Sequence, residues 1–169
     1  MRALLVIDWQ KEYIDKNSGY YVNSNLEKET SSLNEIIIKW REKDYPVIFI
    51  RHNETEGENF LKGSKNAELQ DALNVSTTDY FTDKHHISSF YKTNLEKILE
   101  DNQISELYIC GILTNLCVRS AISDAYDRGF NIKVIKDLCI SFNPEIQTFT
   151  IEDIKNTRPE VKMISSSEI

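Results

Sequence analysis

The 169-residue sequence is poor in glycine, proline and cysteine, and these shortages exclude several classes of protein. With only five glycines, neither the dinucleotide-binding pattern G-x-G-x-x-G nor the P-loop pattern G-x-x-x-x-G-K-[ST] occurs. Three cysteines, an odd number, argue against a disulfide framework. A reducing, cytoplasmic compartment, in which cysteines remain thiols, is therefore the expectation.

Long apolar runs and an excess of positive charge are also missing. No stretch approaches the roughly 20 apolar residues that span a bilayer. The first apolar run ends at Asp8 and no small-residue cleavage site follows it, so we expect no signal peptide. The formal net charge of −7 argues against a protein that binds a phosphate backbone. We therefore expect a small-molecule ligand and neither nucleic acid nor a membrane as partner.

Short apolar runs alternate with helical patterns along the chain. Continuous apolar runs predict buried strands, and shorter runs predict two further ones; together they cover 3–8, 45–52, 80–84, 106–111, 131–137 and 161–165. Helical spacing predicts helices at 24–42, 66–73, 93–101, 118–128 and 144–156. This alternation predicts one α/β domain over residues 1–169, doubly wound, with three layers and a mostly parallel sheet.

In such a sheet, ligands bind beyond the carboxyl ends of the strands, where Cys117 follows a predicted strand and directly precedes helix 118–128. The N–H groups at the start of a helix favour a thiolate, so we expect a lowered pKa for this thiol. Free cysteine is also a common small core residue. Position alone leaves both interpretations open for Cys117, whereas Cys110 and Cys139 better match core residues.

Asp8, Lys84 and His52 end other predicted strands and are the remaining candidates for chemistry. Asp8 is either a turn cap or the base that takes a proton from Cys117. Most lysines are solvated, but Lys84 would stabilise a thiolate if it faced that sulfur. His52 offers a Cys–His arrangement as an alternative. No histidine or cysteine pattern has the spacing of zinc ligands.

Three motifs, in the right order, resemble the isochorismatase-like hydrolases, the superfamily that contains nicotinamidases and N-carbamoylsarcosine amidases. The first is "ALLVIDWQKEY" at 3–13, which is similar to the family's opening strand and its aspartate. The second is "KHHISSFYKTNLEKIL" at 84–99, and the third is "YICGILTNLCVRSAISDAYDRGFNIKVIKDLC" at 108–139. The resemblance spans nearly the whole chain and implies the family's α/β fold.

The resemblance implies a catalytic triad of Asp8, Lys84 and Cys117. The implied reaction is hydrolysis of a C–N bond in a small amide, ureide or carbamoyl compound through a thioester. A cis peptide bond between Ile112 and Leu113 is implied, with the N–H groups of Leu113 and Cys117 forming the oxyanion hole. Four residues are expected to contact the substrate: Trp9, Tyr13, Phe90 and Ile112.

The sequence also departs from the family pattern. Nicotinamidases carry a metal-binding D-x-H after the second strand, but no aspartate stands two residues before His52. We therefore expect no catalytic metal and no cofactor. Ile87 stands in place of the tyrosine of the family motif, and Leu113 stands where alanine is usual. Both changes reshape the pocket, so the sequence does not identify the substrate. The family further implies a homo-oligomer, a dimer or larger. A thiol redox protein and a non-catalytic binding protein on the same fold remain the alternatives.

Overall fold

The computed structural model describes residues 1–22 and 26–169. Its strands are β1 (Arg2–Ile7), β2 (Val47–His52), β3 (Tyr80–Lys84), β4 (Glu106–Ile112), β5 (Asn131–Ile140) and β6 (Lys162–Ile164). Its α-helices are α1 (Glu27–Arg41), α2 (Leu95–Asp101), α3 (Arg119–Asp127) and α4 (Pro144–Thr157). Short 3-10 turns lie at Lys11–Tyr13 and Ser166–Glu168, and a π-helical turn covers Thr114–Val118.

The six strands form one sheet in the order β3-β2-β1-β4-β5-β6. Every neighbouring pair is parallel, so the sheet is parallel throughout rather than mostly so. The chain winds outward from β1 in one direction and, after β3, crosses back to β4 and winds in the other. Crossovers between parallel strands are right-handed as a rule, so winding in two directions places helices on both faces. This strand order confirms the doubly wound, three-layer α/β fold. The order reverses between β1 and β4, and this switch point is where such sheets bind ligands.

Continuous apolar runs form the central strands because helices cover both faces of the sheet. Residues Ala3–Ile7 of β1 are fully buried, and so are most residues of β4. Helix α1 packs its apolar side, including Leu33, Ile37 and Trp40, into the same core. Within the described residues no helix is long and apolar enough to cross a membrane.

The segment 66–73, predicted to be a helix, is irregular instead. Its carbonyl groups accept hydrogen bonds from the segment that follows β1: Glu12 N donates to Asn66 O, and Lys11 N donates to Glu68 O, each at 2.9 Å. These contacts satisfy backbone groups that a helix would have paired internally. The helical prediction is therefore wrong here, because backbone hydrogen bonds to the segment after β1 replace those within a helix.

Several boundaries differ from the sequence prediction by one to three residues. Strand β5 continues to Ile140, three residues beyond the predicted end at 137. The predicted helix 24–42 corresponds to α1, and its residues 24 and 25 lie outside the described residues.

Gly111, in β4, approaches β1 very closely at the switch point. Its φ is 144°, a conformation that side chains rarely adopt, and a Cβ built there would lie 2.2 Å from Ile7 O. Only glycine fits this position, which lets the ends of β1 and β4 sit side by side.

Candidate active site

Asp8 directly follows β1, and its backbone turns away from the sheet. Its N–H still donates to Ile50 O at 2.8 Å, so the residue is anchored to β2. Its φ of 53° lies in the left-handed region, which aspartate tolerates better than most residues. Such strain is common where a fold holds a functional side chain. The Asp8 side chain is fully buried and faces Lys84.

Lys84 ends β3, opposite His52 of β2, and its side chain is also fully buried. Its Nζ lies 2.9 Å from Asp8 Oδ2 and 3.2 Å from Cys117 Sγ. The same nitrogen lies 3.1 Å from His52 Nδ1 and 3.3 Å from His86 O. Apart from this ion pair, the Asp8 oxygens accept no hydrogen bond of ordinary geometry from the described residues. The structure thus brings Asp8, Lys84 and Cys117 together around one ammonium group.

Cys117 lies in the π-helical turn between β4 and α3. The turn begins at Thr114, whose hydroxyl donates to Gln147 Oε1 at 2.6 Å and so ties it to α4. The Ile112–Leu113 peptide bond before this turn is cis. Cys117 is 7% exposed and lines a cavity. The position is therefore buried yet reachable by a small molecule.

The prediction of a lowered pKa for the Cys117 thiol is wrong, because the groups around this residue raise the pKa. Burial and the Asp8 carboxylate raise the pKa of Cys117 to about 12, which outweighs the lowering by the Lys84 ammonium. Helix α3 begins at Arg119, two residues after Cys117. Cys117 therefore lies in the π-helical turn that precedes the helix and not at the first residue of the helix. At neutral pH the thiol is therefore protonated beside a carboxylate, rather than present as a thiolate.

The pKa of Lys84 moves in the direction that keeps this residue charged. Burial would lower the pKa, but Asp8 and Cys117 more than offset that effect and raise it. Burial, Asp8 and Cys117 also raise the pKa of Tyr13 well above its usual value. The site therefore holds a stable ammonium and a protonated phenol next to the thiol.

His52 contacts Lys84 and Glu54 rather than acting as the partner of the sulfur. Its Nδ1 must accept from Lys84, because an ammonium group has no lone pair. Its Nε2, 2.5 Å from Glu54 Oε1, then carries the proton and donates it. The Gln10 side chain fixes the His52 backbone: Oε1 accepts from His52 N and Nε2 donates to His52 O, both at 2.8 Å. Both ring nitrogens are therefore used, which disfavours the Cys–His alternative.

A cavity of about 350 Å³ opens beside Cys117. It is lined by Tyr13, Tyr20, His52, Glu54, Glu56, Gly57, Glu58, Asn59, Phe60, Ile87, Leu113, Leu116 and Cys117. Among the four residues expected to contact the substrate, only Tyr13 lines it. Ile87 and Leu113, the two departures from the family motifs, lie in its wall and shape it.

Trp9, Phe90 and Ile112 lie in the core instead of the cavity wall. Trp9 is fully buried, and its indole N–H donates to Thr30 Oγ1 at 3.1 Å, so the ring points toward α1. Phe90 is buried under the Arg128 guanidinium, 4.6 Å from its ring centre. Ile112 is the fully buried last residue of β4. Trp9 directly follows Asp8 in the sequence, yet its side chain points away from the cavity.

Sequence reasoning missed most of the cavity wall. The loop after β2 supplies Glu54, Glu56, Glu58 and Phe60, and none of these four was among the predicted site residues. One signal was present: Phe60 is the sole aromatic residue of the polar stretch 53–65. Its side chain is buried, and its backbone N–H donates to Glu12 Oε2 at 3.1 Å. The single aromatic residue of this polar stretch thus indicated that the loop packs against the interior.

Comparison with known proteins identifies the family and the fold. Residues 2–168 match the isochorismatase domain. The chain belongs to the isochorismatase family. The "Probable inactive nicotinamidase" of Arabidopsis thaliana is 33% identical over 172 aligned positions, covering 91% of this chain and 88% of the relative.

Solved structures of isochorismatase-family proteins share the fold over nearly the whole chain. The N-carbamoylsarcosine amidase of Thermoplasma acidophilum superposes with a TM-score of 0.85 at 26% identity, covering 99% of this chain and 98% of that one. An isochorismatase-like hydrolase of Alkaliphilus metalliredigens reaches a TM-score of 0.89 at 20% identity, covering 99% and 96%. The second similarity concerns the fold alone.

His52 at the end of β2 and Glu54 after it do not fit the metal site of the nicotinamidase branch. One His52 nitrogen faces the Lys84 ammonium at 3.1 Å and the other is hydrogen-bonded to Glu54. A cation there would meet an ammonium group and displace both contacts. Across residues 1–22 and 26–169, no cluster of three or more histidine, cysteine, aspartate or glutamate side chains is arranged to hold a metal.

Cys110 and Cys139 lie in the core, away from the cavity lining. Cys110 is fully buried in β4, and burial raises its pKa well above the usual value. Cys139 Sγ donates to Ile135 O at 3.3 Å, and burial raises its pKa to about 12. Neither thiol is placed as an accessible partner for Cys117, which disfavours the redox alternative.

Proposed function

We propose that this chain is a cysteine-dependent hydrolase that cleaves the C–N bond of a small amide, ureide or carbamoyl compound. Family membership supports the reaction class, since relatives include proteins named nicotinamidase and N-carbamoylsarcosine amidase. The observation that carries the proposal is the Lys84 ammonium, which contacts both the Asp8 carboxylate and the Cys117 sulfur at the base of the cavity. Residues 1–169 would act as one domain.

In the first half-reaction, Asp8 takes the proton from the Cys117 thiol as the sulfur attacks the substrate carbonyl carbon. The raised pKa of this thiol supports a general base rather than a preformed thiolate. The carbonyl oxygen gains the negative charge, and the backbone N–H groups of Leu113 and Cys117 are proposed to stabilise it. Asp8 then gives its proton to the nitrogen as the C–N bond breaks, which leaves a thioester and a free amine or ammonia.

In the second half-reaction, Asp8 removes a proton from water while the water oxygen attacks the thioester carbon. Collapse of this intermediate breaks the C–S bond and returns the proton to sulfur. The acid leaves, and the thiol and the Asp8 carboxylate are restored. The same carboxylate therefore acts as base and acid in turn.

Lys84 would stabilise the negative charge that passes between Asp8 and Cys117. Its nitrogen lies within 3.2 Å of both groups and needs no movement to interact with either. His52 is proposed as a positioning residue, since its Nδ1 accepts from this ammonium and its Nε2 donates to Glu54.

Ammonia release from a panel of small amides, ureides and carbamoyl compounds tests the proposal. The wild-type protein should release ammonia from at least one of them, and Cys117→Ala should abolish release. Cys139→Ala is the matched control, because it removes a buried thiol outside the cavity and should retain activity. Equal release by Cys117→Ala and wild type would remove the cysteine mechanism. No release from any compound would favour a non-catalytic binding protein.

We also propose that the protein is a cytoplasmic homo-oligomer, a dimer or larger, as the family resemblance implies. Light scattering at micromolar concentration tests the assembly, and a monomeric mass would contradict it.

A further inference from the structure

The cavity beside Cys117 has an acidic and aromatic wall. Glu54, Glu56 and Glu58 line one side of it. Among the described residues that line it, none is a lysine or arginine. The Lys84 ammonium contacts the Cys117 sulfur, but it is paired with the buried Asp8 carboxylate. The acidic side chains of the cavity wall are therefore not matched by a lysine or arginine of that wall.

Two of these three carboxylates have no hydrogen-bond or ion-pair partner among the described residues. Glu54 is hydrogen-bonded to His52 through Oε1. Glu56 and Glu58 are exposed, and neither forms an ion pair with any residue that the structure describes. Their charges are therefore available to a ligand that enters the cavity.

The aromatic side chains of the wall provide a second, independent indication. Tyr13, Tyr20 and Phe60 contact one another, with ring centres 6.4 Å apart for the two tyrosines. The Phe60 ring centre lies 5.3 Å from that of Tyr13 and 5.1 Å from that of Tyr20. Clusters of aromatic rings attract ammonium groups through their negative faces, and quaternary ammonium ions in particular. A carboxylate ligand would meet both the ring faces and the glutamates unfavourably.

We propose that this cavity selects substrates that carry a positive charge, an amide or ureide with a protonated or quaternary amine next to the scissile group. Glu56 and Glu58 would attract the cation, and the cluster of Tyr13, Tyr20 and Phe60 would contact it. The proposal rests on the proposed function for the reaction, but the charge preference of the cavity is measurable without turnover.

Charged thiol reagents measure that preference directly. Trimethylammonioethyl and sulfonatoethyl methanethiosulfonate are similar in size and opposite in charge. In each case the Cys117 sulfur forms a mixed disulfide, methanesulfinate leaves, and the thiol proton passes to the solvent. The two rates at Cys117 are followed by peptide mass spectrometry. The rate with the cationic reagent is divided by the rate with the anionic reagent. This ratio is then divided by the same ratio for mercaptoethanol, because the two reagents differ in intrinsic reactivity.

The corrected ratio should favour the cation by about fivefold or more, since each exposed carboxylate pairing gives a factor of about 1.5 to 5. Glu56→Gln combined with Glu58→Gln should lower it to the smaller preference that Glu54 and the aromatic cluster retain, and Tyr20→Leu should lower it partly. High salt should also reduce it, because exposed charges are screened beyond about 10 Å at 0.1 M.

The matched control is Glu35→Gln combined with Glu100→Gln, which changes the net charge equally at exposed positions outside the cavity. This control should keep the wild-type ratio. A wild-type ratio at or below one would overturn the proposal, as would an equal fall in both double variants.

Substrates separate this proposal from the proposed function. Glycinamide, propionamide and succinamate present a cationic, a neutral and an anionic amide. Preferred ammonia release from glycinamide would support both proposals, whereas preferred release from succinamate would overturn only the charge selection. If no amide is cleaved, the hydrolase fails, and the labelling ratio still decides the preference of the cavity.

Discussion

The ammonium nitrogen of Lys84 lies 2.9 Å from Oδ2 of Asp8, and neither side chain is exposed to solvent. Removal of one member of a buried ion pair leaves an uncompensated charge, which costs about 3–5 kcal/mol. Lys84→Met should therefore lower the free energy of unfolding by about that amount. Urea unfolding followed by circular dichroism measures it.

The control for this prediction is the double variant Asp8→Asn with Lys84→Met. It removes both charges and should be more stable than Lys84→Met alone, because the orphaned carboxylate is gone. Strictly additive losses from the two single substitutions would show that the pair is not coupled.

Asp8→Asn should change the reactivity of Cys117 and the rate of turnover in opposite directions. The carboxylate raises the pKa of the thiol, so its loss lets the Lys84 ammonium favour a thiolate and speeds labelling by iodoacetamide at pH 8. Turnover should fall by about 10²–10⁴, the usual contribution of general acid–base catalysis. A parallel fall in both rates would show that Asp8 only maintains the local structure.

The pH dependence of labelling reports the state of the thiol. With a pKa of about 12, Cys117 is protonated at neutral pH. Its iodoacetamide rate should rise about tenfold per pH unit between about pH 7 and 10, without a plateau. An exposed reference cysteine levels off above its ordinary pKa of about 8.5. A plateau for Cys117 near neutral pH would reveal a preformed thiolate.

Labelling should also separate the three cysteines. Cys117 lines the cavity, whereas Cys110 and Cys139 lie in the core. Peptide mapping should therefore find Cys117 modified first, even though its rate at pH 7 stays below that of a free thiol.

Gly111→Ala should disrupt the switch point. A Cβ there would lie 2.2 Å from Ile7 O, and the φ of 144° suits glycine alone, so we expect a loss of about 3 kcal/mol or more. Gly129→Ala is the matched control, because its φ is 79° but nothing lies within 4 Å. That substitution should cost only about 1–2 kcal/mol. Equal midpoints of urea unfolding for the two variants would contradict the close approach of β1 and β4.

The fold was predictable because its central strands are continuously apolar, a pattern that identifies a sheet covered on both faces. Three of the predicted strands end at Asp8, His52 and Lys84, so the edge that carries the site was predictable as well. The motifs of the family supplied the grouping of Asp8, Lys84 and Cys117, which spacing alone did not provide.

What the sequence did not predict depends on contacts between distant segments. Residues 66–70 do not form the predicted helix, because their backbone groups are hydrogen-bonded to residues 9–12, some 60 positions away in the sequence. The glutamates of the cavity wall come from a loop whose path depends on Phe60 and Glu12. The direction of the thiol pKa depends on burial and on the position of Asp8, neither of which a helix boundary reveals.

Lys84 Nζ has four acceptor atoms within 3.3 Å: Asp8 Oδ2, Cys117 Sγ, His52 Nδ1 and His86 O. An ammonium group has only three hydrogens to donate. One acceptor is always left without a full hydrogen bond, so a small rotation about the last carbon–nitrogen bond exchanges which one it is. In the proposed mechanism negative charge arrives on sulfur and later departs, and a rotation of the ammonium hydrogens would follow that charge without moving the heavy atoms of the site.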